Sequence, residues 1–574
     1  MRWSAGSLFP RSRGSAGPSR AFLTAALCLW TLCLCLNLSA TSLPLPHPIP
    51  PPAEEDPPPR GSVPEPAADP AVQPVVRAVG ETPAVEPVAE TAGPSVEDVP
   101  VTPLTQTQPA TSTTQPQPTT QPQPTTQPQP STQPQPSVQT QSSSSGGRGQ
   151  AIRVNSRPLR DISGNVIPMN GAYGGGTILL PAAYTAKPNE FRGIWVATAF
   201  NLDFKAQPDA AAFQTAYRSL VARLAALGFN TVMFQVRPSC DAFYKSSISP
   251  WSRWMSGEEG KPLASGFDPL TFMIAETHRR GLKFYAWLNP YRVGHPDISA
   301  ASSYLRTLSP DNFARKNPGC VLRWDNRSTG RSTLFLDPGR SEVVKHVVDC
   351  VREVLQYRPD GIVFDDYFYP IGVDNTCDAA SYRKFAAKGQ SLADWRRANT
   401  ELMIRSVIGT VRAYNRLNGT SIPFGVSPVG IWANRSAAMP EGSPSNGVEA
   451  YNQSFADVRK WILNGWLDFV MPQVNWGFAN PKAPFAGIVN WWADTVRGTN
   501  VKLYVSLGVY QAGVTAGMES PSEISNQVLY LILRREVAGT VIFAARHCFN
   551  PENNAQKTSL RTIFNSFWRP AGSP

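Results

Sequence analysis

Beyond residue 190 the chain alternates short β-rich runs with longer amphipathic stretches, and this rhythm limits the possible folds more than any feature of its composition. The β-rich runs are 192–200, 231–237, 283–289, 361–366, 423–427, 468–475, 502–510 and 540–547. The helical stretches are 210–227, 269–280, 341–357, 393–417, 458–466, 488–497, 523–537 and 557–568. Strand and helix in regular succession mark a parallel α/β fold, and eight such pairs within residues 190–570 predict a (β/α)8 TIM barrel enlarged by loops.

A barrel of this kind builds its site from the C-terminal ends of the strands, so polar side chains at those ends are the candidates. Gln235 and Arg237 share one alternation face, as do Gln473 and Asn475. The other ends supply Asn201 and Asp203, Asp241, Asn289 and Arg292, Asp365 and Asp366, Ser427, Tyr510, and Arg546 with His547. Residues 361–370 read GIVFDDYFYP, an apolar strand that ends in two adjacent carboxylates among aromatics. Glycoside hydrolysis needs one carboxyl group to protonate the leaving oxygen and another to attack the sugar or activate water. Asp365 and Asp366 are the leading candidates, with Asp241 next and Asp203 and Glu258–Glu259 behind it. Neighbours on a strand point to opposite faces, so both aspartates reach one substrate only if the backbone bends at the strand end. A substrate with an N-acetyl group could itself supply the nucleophile, leaving a carboxylate to orient it. Asp241 equally suits a plain structural role, capping the turn near Cys240.

The expected substrate-binding residues are Gln235, Arg237, Asn289, Tyr291, Arg292, Tyr367, Tyr369, Gln473, Asn475 and Trp476. Flat rings at strand ends can stack on sugar faces, and guanidinium groups can take carboxylates in a bidentate grip. Trp491 and Trp492 lie within a helical stretch, where packing in the core is expected. Other chemistries have less support. The run GVSPVG at 425–430 is not a nucleophile elbow, because it lacks the G-x-S-x-G spacing. The five histidines are scattered without metal-ligand spacing, and no phosphate-cradling glycine loop follows a strand. No metal and no cofactor is expected, and nucleic acid is not an expected partner.

The first 150 residues differ in kind. Arg2, Arg11, Arg13 and Arg20 precede an apolar run at 21–40, the pattern of a secretory signal peptide or an uncleaved signal anchor over residues 1–40. Contact with a membrane is expected only through that anchor. Residues 41–150 are rich in Pro, Thr and Gln, with a TTQPQP unit repeated between Thr113 and Pro136, and read as a disordered linker that cannot bury a core. Residues 151–189 form a lead-in segment. The net charge is +11, and the part beyond residue 150 holds 46 basic and 32 acidic residues. A basic exported domain points to anionic envelope polymers. Five cysteines lie outside the apolar run, without CxxC spacing, and permit at most two disulfides.

Several ordered motifs carry a resemblance: FRGIWV at 191–196, QVRP at 235–238 with DAFY at 241–244, PWS at 250–252, AWLNPYR at 286–292, DDYFYP at 365–370, FGVSP at 424–428 and PQ at 472–473. Over about residues 190–550 the chain resembles the glycosyl hydrolase-like 10 family. The resemblance implies a TIM-barrel glycosidase-like domain in the bacterial envelope, acting on peptidoglycan glycan strands, preferentially those stripped of stem peptides; with the N-terminal segment, the expected location is the periplasm or cell envelope, free or anchored through residues 21–40. A related envelope polysaccharide fits the same residues. So does a glycan-binding barrel without catalysis, because the second acid is not evident. A lipoprotein signal is lacking, and the Pro/Gln tract is no part of the family domain.

Overall fold

The computed structural model describes residues 156–568 apart from 170, 174, 366 and 367. The expected signal or anchor, the linker, Asp366 and Tyr367 therefore lie outside the described residues. Eight parallel strands close a barrel: β1 (Phe191–Val196), β2 (Thr231–Arg237), β3 (Lys283–Leu288), β4 (Gly361–Phe364), β5 (Phe424–Val426), β6 (Phe469–Val470), β7 (Lys502–Gly508) and β8 (Val537–Phe543). Each strand pairs with its successor, and β8 closes onto β1. A helix follows each strand: α1 (Ala210–Ala226), α2 (Pro269–Arg279), α3 (Ser341–Gln356), α4 (Leu392–Asn418), α5 (Val458–Leu463), α6 (Phe485–Val496), α7 (Glu523–Ile532) and α8 (Asn554–Thr562). The expected TIM barrel is the fold.

Local chemistry sets the helix starts. The Asp209 carboxylate accepts from Ala212 N–H at α1, and Asp268 accepts from Leu270 and Thr271 N–H at α2, where Pro269 occupies the first turn. Ser391 caps α4, which ends on Gly419 at φ 62°. Between β3 and α3 the chain inserts a three-stranded antiparallel sheet, with Arg331–Leu336 between Arg292–Gly294 and Val321–Asn326. The lead-in contributes a small antiparallel pair, Ser156–Pro158 with Leu179–Pro181. Among the described residues no helix is long and apolar enough to cross a membrane, and the five cysteines there are free thiols.

The barrel interior is plugged at its N-terminal end. Phe191, Tyr285, Phe469 and Tyr504 form a closed circle of rings, with successive centroids 5.5, 5.6, 5.8 and 4.1 Å apart. Two inward-facing glycines make room for them. Gly361 pairs with Tyr285 and Gly425 with Phe469 across neighbouring strands, and a methyl group at either position would overlap the partner ring. Trp195 and Trp287 meet edge to face at 4.9 Å in the next layer, with Met233, Val363, Met471 and Val541. With the N-terminal end sealed, the polar groups above these rings face the C-terminal rim. Gly361→Ala is expected to cost about 1–3 kcal/mol of stability through overpacking, measurable by urea denaturation; an unchanged midpoint would contradict the plug.

The sequence and the structure part at several strand ends. β6 keeps two ladder residues where eight were expected, because Pro472 has no N–H to donate. Bridges from Gln473 to Val429 and Ser506 continue its course. β8 starts earlier than expected and stops at Phe543, so Arg546 and His547 sit on a short helix, Ala545–Phe549. The Gln235–Arg237 pair is split by a register shift in β2, and the two side chains do not share a face.

Candidate active site

Gly361, Val363 and Asp365 follow one alternation face of β4, so the inward course of that strand ends in the Asp365 carboxylate. The side chain is buried. Its Oδ2 accepts a 2.6 Å hydrogen bond from Asn289 Nδ2 and lies 3.9 Å from Arg292 Nη2. Asn289 Oδ1 in turn accepts from Gln235 Nε2 at 2.6 Å. Gln235 Oε1 accepts from the backbone N–H groups of Thr198 and Ala199, both at 2.9 Å. The ends of β1, β2, β3 and β4 are thus joined in one line of hydrogen bonds that finishes on a carboxylate. Arg292 donates from Nη1 to Pro238 O at 3.2 Å, which anchors its guanidinium between the loops after β2 and β3.

Aromatic groups stand in the loops after several of the strands. Phe200 adopts φ 56° in the loop after β1, a strained setting for a bulky residue, and its ring lies 5.1 Å from Trp254 and 6.2 Å from His295. Burial, with Arg292 and Arg331 nearby, holds His295 well below its ordinary pKa, so the imidazole is neutral at physiological pH. Tyr510, after β7, faces His547 at 6.2 Å. Burial and the neighbouring Arg546 lower His547 to about 3.

The sequence-expected residues divide by position. Gln235, Asn289, Arg292 and Asp365 come together. Gln473 and Asn475 lie on the β6 rim, where Gln473 Nε2 reaches Ser427 O at 3.2 Å. Trp476, also beyond β6, is half-buried, and its carbonyl accepts from Gln527 Nε2 at 3.0 Å. Arg237 turns away after the register shift and bonds Ser249 Oγ at 2.8 Å, close to Tyr244. Tyr291 and Tyr369 are fully buried, Tyr369 against Phe335 and Phe455, so neither ring is open to stack on a sugar. Asp241 Oδ1 accepts from Ser239 N–H at 3.0 Å, and its side chain also bonds Ser252. Burial pushes Asp241 up to about 6, and among the described residues its contacts run to the loop held by the Arg253–Glu259 pair. These hydrogen bonds cap the turn beside Cys240. Asp203 likewise spans a seam, accepting from Ala197 N–H at 2.7 Å and Arg546 N–H at 2.8 Å. Trp491 and Trp492 are core residues, as expected. His346, on α3, is buried and stacked on Phe313 at 4.0 Å. Among the described residues no group of three or more His, Cys, Asp or Glu side chains is gathered as a metal site.

Thr198 and Phe200 carry no signal in the sequence that marks them as site residues. A backbone donor has no sequence signature, and Phe at positive φ is not a turn signal of the kind Gly or Asn provides.

One buried acid supports the rim from behind. Glu523, at the start of α7, accepts from Phe478 N–H at 2.9 Å and Gln527 Nε2 at 3.2 Å, holding the loop that carries Asn475 and Trp476. Burial pushes Glu523 up to about 7. The folded state therefore binds a proton that the unfolded chain has already lost between about pH 4.5 and 7, and stability from this group falls as pH rises through that window. Glu523→Gln is expected to remove the fall, so its Tm should gain on wild type as pH rises from 5 to 8. A constant difference would contradict it.

Comparison with known proteins places the chain. Residues 190–522 match the glycosyl hydrolase-like 10 family. The chain belongs to that family. It is 34% identical to the glycosyl hydrolase DigH of Escherichia coli strain K12 over 404 residues, covering 67% of this chain and 90% of DigH. It is 32% identical to the glycosyl hydrolase YngK of Bacillus subtilis strain 168 over 403 residues, covering 67% of this chain and 74% of YngK. Among solved structures it is similar to the glycoside hydrolase domain of PgaB (BpsB) from Bordetella bronchiseptica, at 13% identity and a TM-score of 0.42, covering 67% of this chain and 100% of that domain. The enzyme class expected from the strand-end carboxylates, a hydrolase of O-glycosyl bonds, agrees with this membership.

Proposed function

We propose that this family member is an exported enzyme that cleaves the glycan strands of peptidoglycan. The observation that carries the catalytic part is Asp365, held at the end of β4 by an amide donor and faced by a guanidinium. Such surroundings suit a carboxylate that acts ionised, as base, nucleophile or orienting group, and not as proton donor. Asp366, the adjacent carboxyl group in the sequence, is assigned the acid role. As the C1–O bond breaks, it passes its proton to the leaving oxygen while water attacks C1 and gives its proton to Asp365, or while the carbonyl oxygen of an N-acetyl group steered by Asp365 attacks C1 and water then breaks that new bond, returning a proton to Asp366. Export rests on the basic residues and apolar run at 1–40, and the long Pro/Gln tract suits a barrel working at a distance from a membrane.

The substrate part is tested by comparing turnover of purified glycan strands with and without stem peptides. Stripped strands are expected to be cleaved faster, since the polymer must lie across an open rim. Equal inertness of both, with turnover of another envelope polysaccharide, would move the assignment to that polymer.

A further inference from the structure

Gln235 and Asn289, the expected substrate contacts, hydrogen-bond to each other, and Asn289 also to Asp365. Both backbone donors, Thr198 and Ala199, point at one atom of Gln235, so that atom is the amide oxygen and the opposite atom is the NH2 group. The NH2 group faces Asn289, which makes the facing atom of Asn289 its oxygen and leaves its own NH2 for Asp365. The Thr198 hydroxyl secures the start by donating to Gln235 O at 2.8 Å. Reversing either amide would set oxygen against oxygen or NH2 against N–H. All three side chains of the line are buried, so water does not readily replace a lost partner.

We propose that Gln235 is a positioning residue, which fixes the Asn289 amide so that Asp365 is presented to the reaction as an oriented, hydrogen-bonded carboxylate. This deepens the reading above and rests on Asp365 being the ionised catalytic group. Among the described residues Arg292 is the charged side chain facing Asp365, with His295 beside Arg292 and neutral. The adjacent rims of β5 and β6 bring the uncharged Ser427 and Gln473.

The test is the pH dependence of kcat and KM on stripped glycan strands for Gln235→Glu, Asn289→Asp and Asp365→Asn. Gln235→Glu keeps the acceptor for Thr198 and Ala199 but can no longer donate to Asn289 in its charged form. Its added negative charge disfavours ionisation of Asp365, so the acid limb of the kcat profile should move to higher pH. At neutral pH kcat should fall on the order of 10²-fold with KM nearly unchanged. Asn289→Asp, which leaves the Gln235 contacts to the backbone in place, should shift the limb the same way. A raised KM with unchanged kcat and an unmoved acid limb would make both residues substrate contacts and overturn the proposal. So would wild-type profiles in both variants while Asp365→Asn is inactive. Full activity of Asp365→Asn would instead overturn the assignment of Asp365 itself.

Discussion

Asp365→Asn is expected to lower kcat by about 10²–10⁴-fold while leaving the fold intact, because an amide keeps the shape of the side chain but cannot serve as a base or nucleophile. The loss follows from position as well as chemistry. Asp365 ends the inward face of β4 above a sealed aromatic floor, where a polymer can approach only from the rim. Asp366→Asn should also lose most turnover if the adjacent acid protonates the leaving oxygen. Wild-type kcat in both variants, with unchanged circular dichroism, would place the reaction elsewhere.

The largest effect on stability is expected at Asp378. Arg396 holds it with two hydrogen bonds of 2.6 and 2.8 Å, and both side chains are fully buried. The same guanidinium lies over the rings of Phe455, at 4.8 Å, and Tyr369, at 5.4 Å. Asp378→Ala leaves a buried cation without its partner and should cost about 3–5 kcal/mol. Tyr369 belongs to the loop that follows Asp365, so a loss of packing there should also lower kcat. Chemical denaturation followed by tryptophan fluorescence measures the first effect. A loss below about 1 kcal/mol, the range of surface pairs, would show that the pair is not buried in solution.

The barrel was legible in the sequence because parallel strands covered on both faces form continuous apolar runs and the helices between them repeat at 3.6 residues. The polar end of β4 was legible for a related reason, since a carboxylate directly after G-I-V-F has no apolar explanation. The details that failed depend on the third dimension. Pro472 shortens β6 and a shift in β2 sends Arg237 away from the Gln235 face, and each breaks the strict period of two of an ideal strand. Tyr291 and Tyr369 look like rim aromatics in the chain, yet the inserted sheet and the Arg396 pair bury them. Gln235 and Asn289 were found, but their direction of hydrogen bonding could be read only once Thr198 and Ala199 were seen to donate to the same oxygen.

The proposed hydrolysis of glycosidic bonds puts Asp365 at the reacting centre. Counting new reducing ends released from purified, peptide-free glycan strands tests it most directly, with wild type and Asp365→Asn at equal concentration. Steady release by the wild type and near-background release by the variant is the predicted result. No release by the folded wild type, or equal release by both proteins, would contradict it.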